Sequence, residues 1–249
     1  MTNDRAGEAP NGVVRARYSS AGKNARHRIA TGRGARFQGG LDSIVSKSTY
    51  ERGQIIHSEG QPATHWYRMT VGAALCSTVR ADGRRLVVDL LLPGDFFGFA
   101  ASNDHDCTVE AVVDGTRANK YDRRSVEALA DGSPAIAREI RNAAIEAMDR
   151  RRAHLLVVGR TTAQQKVGSF LLELADRVCR EEGEALRLAI SRYDIADYLA
   201  ISTETVSRAF SALHRSALIE MISPQHIRIL DREGLEECEE TRSPCLRPN

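Results

Sequence analysis

Long hydrophobic runs are missing. No stretch approaches the roughly 18 apolar residues that span a bilayer, and residues 1–40 hold no apolar run of signal-peptide type. A cytoplasmic protein with no membrane partner is therefore expected. Cysteines are few and scattered: Cys76, Cys107, Cys179, Cys238 and Cys245 are an odd set with no C-x-x-C and no zinc-type Cys/His spacing. That argues against a disulfide framework or a structural metal. No P-loop, no nucleophile–base arrangement and no carboxylate pair on one element is present, so no enzyme is indicated. Aromatic residues make up only 5%, but hydrophobic residues reach 42% and charged residues 27%, as in ordinary globular chains. The net charge of +2 is uneven, because residues 1–40 carry eight Lys or Arg against two acids. Such a basic arm either touches nucleic acid or stays solvated, and runs of this composition are usually disordered.

The texture changes after residue 40. Glycines at 53, 60, 72, 83 and 94 punctuate short β-prone runs, the interval of a small β-barrel or jelly roll. Two runs between Cys76 and Leu92 flank Asp82-Gly83, a tight-turn pair, and predict a hairpin. Residues 86–92 are almost continuously apolar, as expected of a strand covered on both faces. Ser133-Pro134 then opens a long helix to about residue 158. Ile140, Ala144, Ala147, Arg151, His154 and Val158 follow a 4-3-4-3-4 spacing, with Ile145, Met148 and Leu155 on an adjacent face. Two apolar stripes need two partners, the helix's own barrel and a second copy of the chain. A single long core helix is the blander alternative. Ile140, Ala144, Ala147, Met148, Arg151 and Leu155 are the expected dimer residues.

The third section carries the sharpest signal. Residues 162–182 read as an amphipathic helix and 186–190 as a short strand. Ser191 to Asp194 is a capping box opening a short helix, Leu199-Ala200-Ile201 is a tight apolar turn, and Ser202 caps a second helix from Thr203 to about Arg215. Ala200 stands where glycine is usual. On the second helix Val206, Phe210 and Leu213 form an apolar back. Glu204, Ser207, Arg208 and Ser211 form the opposite front, with Ser202, Thr203 and Thr205 at its start. An Arg fork for guanine, a carboxylate for cytosine and hydroxyls for phosphates or base edges are what a major-groove helix presents. Two β-prone runs around Ser223-Pro224-Gln225 read as a wing. The fold class expected is α+β: a basic arm over 1–40, a jelly-roll barrel over 41–130, a dimerisation helix over 131–159, a winged helix-turn-helix over 160–232, and a flexible tail over 233–249.

Ser202 to Arg208, preceded by Tyr193-Asp194-Ile195-Ala196-Asp197-Tyr198-Leu199, resembles the recognition segment of the CRP/FNR transcription regulators, in the E-x-x-S-R version of the FNR and FixK branch. Leu92-Pro93-Gly94-Asp95-Phe96-Phe97-Gly98-Phe99 is similar to the family's β-roll segment. The resemblance implies a homodimeric regulator, an activator, that reads a TTGAT-like palindrome in low-oxygen, denitrification or nitrogen-fixation gene control. It also implies that the exposed turn Asp82-Gly83-Arg84-Arg85 contacts RNA polymerase. Where the family's cyclic-nucleotide pocket has an acid and an Arg-Ser pair, this chain has Phe99 and His105-Asp106, and an Asp there repels a phosphate. The family's iron–sulfur form needs an N-terminal cysteine cluster, and no cysteine precedes Cys76. No cofactor and no metal is expected, with Cys179 and Cys107 as redox candidates. Arg177 and Arg180 beside Cys179 are placed to favour its thiolate, with core packing or plain exposure as the blander reading. The alternative is a ligand- or haem-gated sensor of the same family, with His57, His65, His105 and Cys107 as scattered candidate ligands.

Overall fold

The computed structural model describes residues 41, 44–79, 81, 83, 85–179, 181 and 183–240. The basic arm, Asp82, Arg84 and Cys245 lie outside the described residues, as does the side chain of Cys238.

Eight antiparallel strands build the N-terminal unit: β1 (Val45–Tyr50), β2 (Ile55–His57), β3 (His65–Val71), β4 (Ala74–Val79), β5 (Arg85–Leu91), β6 (Phe96–Phe97), β7 (Thr108–Ala111) and β8 (Thr116–Asp122). They form two four-stranded sheets, ordered β1-β8-β3-β6 and β2-β7-β4-β5. The expected hairpin is β4–β5, paired from Ala74↔Leu91 to Val79↔Arg85. Gly72 turns the chain between β3 and β4 at φ 82°, and a Cβ there would collide with Thr116.

A short helix, α1 (Arg123–Gly132), follows, capped by Asp122 Oδ1 accepting from Ser125 N at 2.9 Å. Its one buried residue, Val126, leaves no periodicity to read in the sequence. Next comes α2 (Pro134–Val158), capped by Ser133 with Pro134 in its first turn. Helix α3 (Ala163–Val178) starts from a Thr162–Gln165 capping box. Then follow β9 (Ala185–Arg187), α4 (Arg192–Leu199), α5 (Thr203–Arg215), β10 (Ile219–Ser223), β11 (His226–Ile229) and α6 (Arg232–Glu240). Helix α6 corrects the expected flexible tail, because Leu235 is fully buried in the core beside α3. One apolar residue in an acidic stretch gave too little amphipathic pattern to announce it.

The two halves share one core. Leu75, Val87, Leu90 and Leu92 of the roll pack in the same cluster as Phe170, Leu171, Leu174, Ile195, Leu199 and Phe210. Strand β5 is therefore covered on both faces, by the roll interior at Leu91 and by the helices of the C-terminal half at Val87 and Leu90. This is the physical reason for its almost continuous apolar run.

The long helix also turns its stripes in a particular way. Ile136, Ala143, Arg150 and Val157 recur every seventh residue on its buried side. Ile140, one of the expected dimer residues, packs with Leu41, Phe96, Tyr121 and Val126 of its own chain, and His154 is likewise buried against its own chain. Ala144, Ala147 and Arg151 are half-buried at its border. The open apolar face holds Ile145 (48% exposed), Met148 (70%), Leu155 (72%) and Leu156 (64%). The apolar residues left open in the single chain thus lie about one position round the helix from the 4-3 stripe.

Candidate nucleic-acid interface

Helix α4 begins at Ser191, whose Oγ accepts from Asp194 N while Asp194 Oδ2 accepts from Ser191 N, both at 3.1 Å. It ends at Ala200, which adopts the left-handed conformation at φ 52°, ψ 48°. The Ile201 N–H closes back on Ala196 O at 3.1 Å, so the turn satisfies its carbonyl although it lacks glycine. Ser202 Oγ then accepts from Thr205 N (3.1 Å) and starts α5.

The back of α5 is Val206, Ala209, Phe210 and Leu213, all buried. Arg192 lies over the Phe210 ring with its guanidinium carbon 3.2 Å from the centroid, and burial lowers its pKa to about 10. Sequence reasoning missed this stack, since an Arg at a helix start reads as solvated. On the front, Glu204 and Arg208 are 70% and 78% exposed and pair with each other one turn apart. Ser202, Thr203, Ser207 and Ser211 share this open surface, and Thr205 is half-buried. Ser207 and Ser211 each donate their hydroxyl to the carbonyl four residues back, Thr203 O and Ser207 O, at 3.0 Å. What they present outward is an acceptor; donation to a phosphate requires the hydroxyl to rotate. The wing is the β10–β11 hairpin, its turn pinned by Ser223 Oγ accepting from His226 N at 3.0 Å.

Other expected sites fare differently. Arg85 is engaged within its own sheet, donating to Ser77 Oγ (3.2 Å) and pairing with Glu110 (3.5 Å), while Gly83 is exposed. Cys179 is half-buried, and its thiol is pushed up by burial and then by Glu184 and Asp176. Of the two arginines expected to favour the thiolate, Arg177 pairs with Asp95 instead, and Arg180 lies outside the described residues. Cys107 is buried, with Arg151 Nη2 at 4.0 Å. The rings of His57, Tyr67, Phe97 and His105 stack within the roll, His57 on His105 at 3.7 Å. Burial and then His105 hold His57 down to about 3, so its ring is neutral. His65 flanks the cluster, its ring centroid 6.4 Å from that of Tyr67 and its Nδ1 2.8 Å from Thr64 Oγ1. Asp106 faces Arg151 at 3.7 Å. Among the described residues, no three His, Cys, Asp or Glu side chains converge as metal ligands.

Against known proteins, residues 165–238 match the model of the Crp-like helix-turn-helix domain, and residues 47–133 that of the cyclic nucleotide-binding domain. The nitrogen fixation regulation protein FixK of Rhizobium meliloti is 36% identical over 188 residues, covering 76% of this chain and 84% of that protein. The transcriptional activatory protein AadR of Rhodopseudomonas palustris is 32% identical over 193 residues, 77% of this chain and 80% of its own. The structure of FixK2 from Bradyrhizobium japonicum superposes with a TM-score of 0.74 at 30% identity, covering 80% of this chain and 100% of that one.

Proposed function

The chain belongs to the CRP/FNR family of DNA-binding transcription regulators, in its FixK-like branch, and from that premise we propose that it acts as a homodimeric activator reading a TTGAT-like palindrome. The observation that carries the reading is the front of α5, where Glu204, Ser207 and Arg208 stand open while the back is locked into the core. Arg208 reads a guanine edge, Glu204 a cytosine amino group, and the hydroxyls of Ser202, Thr203, Thr205, Ser207 and Ser211 meet phosphates or base edges. Two copies join through Met148, Leu155, Ile145 and Leu156, an open apolar stripe that matches itself across a two-fold axis. The names of the relatives support control of nitrogen-fixation genes; control of low-oxygen or denitrification genes rests on the family resemblance alone.

No cyclic nucleotide enters this reading. Asp106, not an arginine, stands at the phosphate position, it faces Arg151, and Phe99 packs on Trp66 with ring centroids 5.2 Å apart. These residues do not fit the nucleotide, so DNA binding needs no diffusible effector. The RNA polymerase contact through the 82–85 turn rests on the family resemblance, and Arg85 is already engaged within its own sheet. The test is site selection from random duplexes with and without cyclic AMP, followed by the Arg208→Ala variant on the selected site. Enrichment of unrelated sequences, or binding that appears only with nucleotide, overturns it.

A further inference from the structure

The C-terminal half is held to the roll by more than apolar packing. Where β5 and the turn after it face α2 and α3, five charged side chains meet. Arg150 Nη2 donates to Asp89 Oδ2 (3.4 Å) and to Phe96 O (2.9 Å), and Arg150 Nη1 lies 3.5 Å from Asp95. Arg177 donates to Leu90 O (3.1 Å), pairs with Asp95, and lies 3.8 Å from Glu173. Three carboxylates thus meet two guanidinium groups, which leaves one negative charge in excess in an interface poor in water.

His154 stands beside this group and touches both halves. Its Nδ1 lies 3.1 Å from Val88 O of β5 and its Nε2 2.7 Å from Tyr198 O of α4. Its ring stacks on that of Tyr198 at 3.8 Å and 5°. Carbonyl oxygens only accept, so both contacts are hydrogen bonds only when both ring nitrogens carry a hydrogen, which is the imidazolium form. A neutral ring, in either tautomer, sets one lone pair against a carbonyl oxygen. The cation also gains from the aromatic face beneath it. The remaining charged groups around it have other work. Arg151 of α2 faces Asp106, Arg85 of β5 faces Glu110 with Asp197 of α4 nearby, and Lys166 of α3 donates to Leu199 O at 3.3 Å. The Tyr198 phenol is kept neutral by burial and then by Glu173 and Asp89. Glu173 itself is pushed up to about 7 by burial, a second seat for the same proton.

We propose that this interface is a proton-linked latch: docking of the DNA-reading half on the roll takes up a proton, shared between His154 and Glu173, and undocking releases it. Once undocked, the Glu173 carboxyl returns to its ordinary value of about 4.5 and the His154 ring loses the two carbonyl acceptors that require its second hydrogen. The docked form then holds more protons, so docking is tightest on the acid side and weakens as pH rises, by up to about tenfold per pH unit for one linked proton. The front of α5 is open in the docked form, so the latch fixes where that helix sits relative to α2. The proposal does not depend on which DNA sequence is read.

Amide hydrogen exchange on the full chain at pH 6, 7 and 8, corrected for the intrinsic rate, tests it. Protection of segments 86–92 and 195–200 should fall at least tenfold from pH 6 to 8 in the wild type, while the β1–β8 pair stays constant. His154→Gln, which cannot titrate, should flatten that profile, and Glu173→Gln should keep protection high at pH 8. Because His154→Gln can fail to fold, nitrogen-15 spectra of the wild-type histidines give an independent reading. His154 should be protonated on both nitrogens at pH 6. A flat wild-type profile, an unchanged slope in His154→Gln, or a neutral His154 at pH 6 each overturns the latch.

Discussion

Leu155→Ala and Ile140→Ala form a matched pair that locates the dimer face. Leu155 is 72% exposed in the single chain, so its apolar surface is available for association. Burying a leucine side chain contributes about 1.5–3 kcal/mol, and most of that remains to be gained at this position. Truncation removes roughly 1–2 kcal/mol per copy, and a two-fold interface contains the residue twice, so the loss is about 2–4 kcal/mol. The dimer dissociation constant should then rise between about 30-fold and 1,000-fold. Ile140 packs on its own roll among Leu41, Phe96, Tyr121 and Val126. Its truncation should instead lower folding stability by about 2 kcal/mol and leave association nearly unchanged. Sedimentation across a dilution series measures the first effect and thermal unfolding at fixed, high concentration the second. If Ile140→Ala dissociates the dimer while Leu155→Ala leaves it intact, the face assigned to the partner copy is wrong.

Arg208→Ala should weaken specific binding by about 1–3 kcal/mol and relax preference at one guanine. Glu204→Ala, which also frees Arg208 from its i,i+4 partner, should relax preference at a cytosine and barely change non-specific affinity, as competition titrations would show. Ala200→Gly relieves a left-handed alanine. It should stabilise the chain by up to about 1 kcal/mol in urea unfolding, and a destabilised variant would mean that the turn tolerates alanine without strain. Glu173→Gln should open a stability difference with pH. The buried carboxyl titrates near 7 against about 4.5 in the unfolded chain, so the native state holds the extra proton and wild-type stability falls as pH rises between those values. The Gln variant escapes that fall. It should match the wild type at pH 4 and exceed it at pH 8 by up to about 3 kcal/mol, and equal stability at pH 8 would show that the carboxyl is not held protonated.

Local signals were legible where one segment had to satisfy itself. The Ser191 and Ser202 caps, the apolar back of α5 and the β4–β5 pairing each follow from spacing within a few residues. The phase of α2 was not, because several of its residues are small or charged and only the packed structure says which stripe its own roll has already covered. Arg150 shows the difficulty. Within Arg150-Arg151-Arg152 it reads as an interruption of an apolar seam, yet it alone of the three is fully buried.

A physical clue nevertheless lay in β5. Asp89 is the one charged residue in an otherwise apolar run from Leu86 to Leu92, and a carboxylate on a strand covered on both faces cannot remain without a cation. The same heptad that buries Ile136, Ala143 and Val157 places Arg150 on the inner side of α2. An acid in an apolar strand and a base on an apolar stripe each demand a partner, and 61 residues of chain close so that they meet at 3.4 Å. Replacing either one singly leaves a buried charge unpaired. Replacing both with similar apolar side chains removes the pair together and leaves neither charge of it unmatched, at the loss of the contacts that Arg150 makes to Phe96 O and Asp95. Asp89→Asn or Arg150→Met alone should therefore destabilise by about 3–5 kcal/mol, and the double Asp89→Leu, Arg150→Met variant should recover most of that in unfolding experiments. Additive losses in the double variant would show that the two charges do not depend on one another.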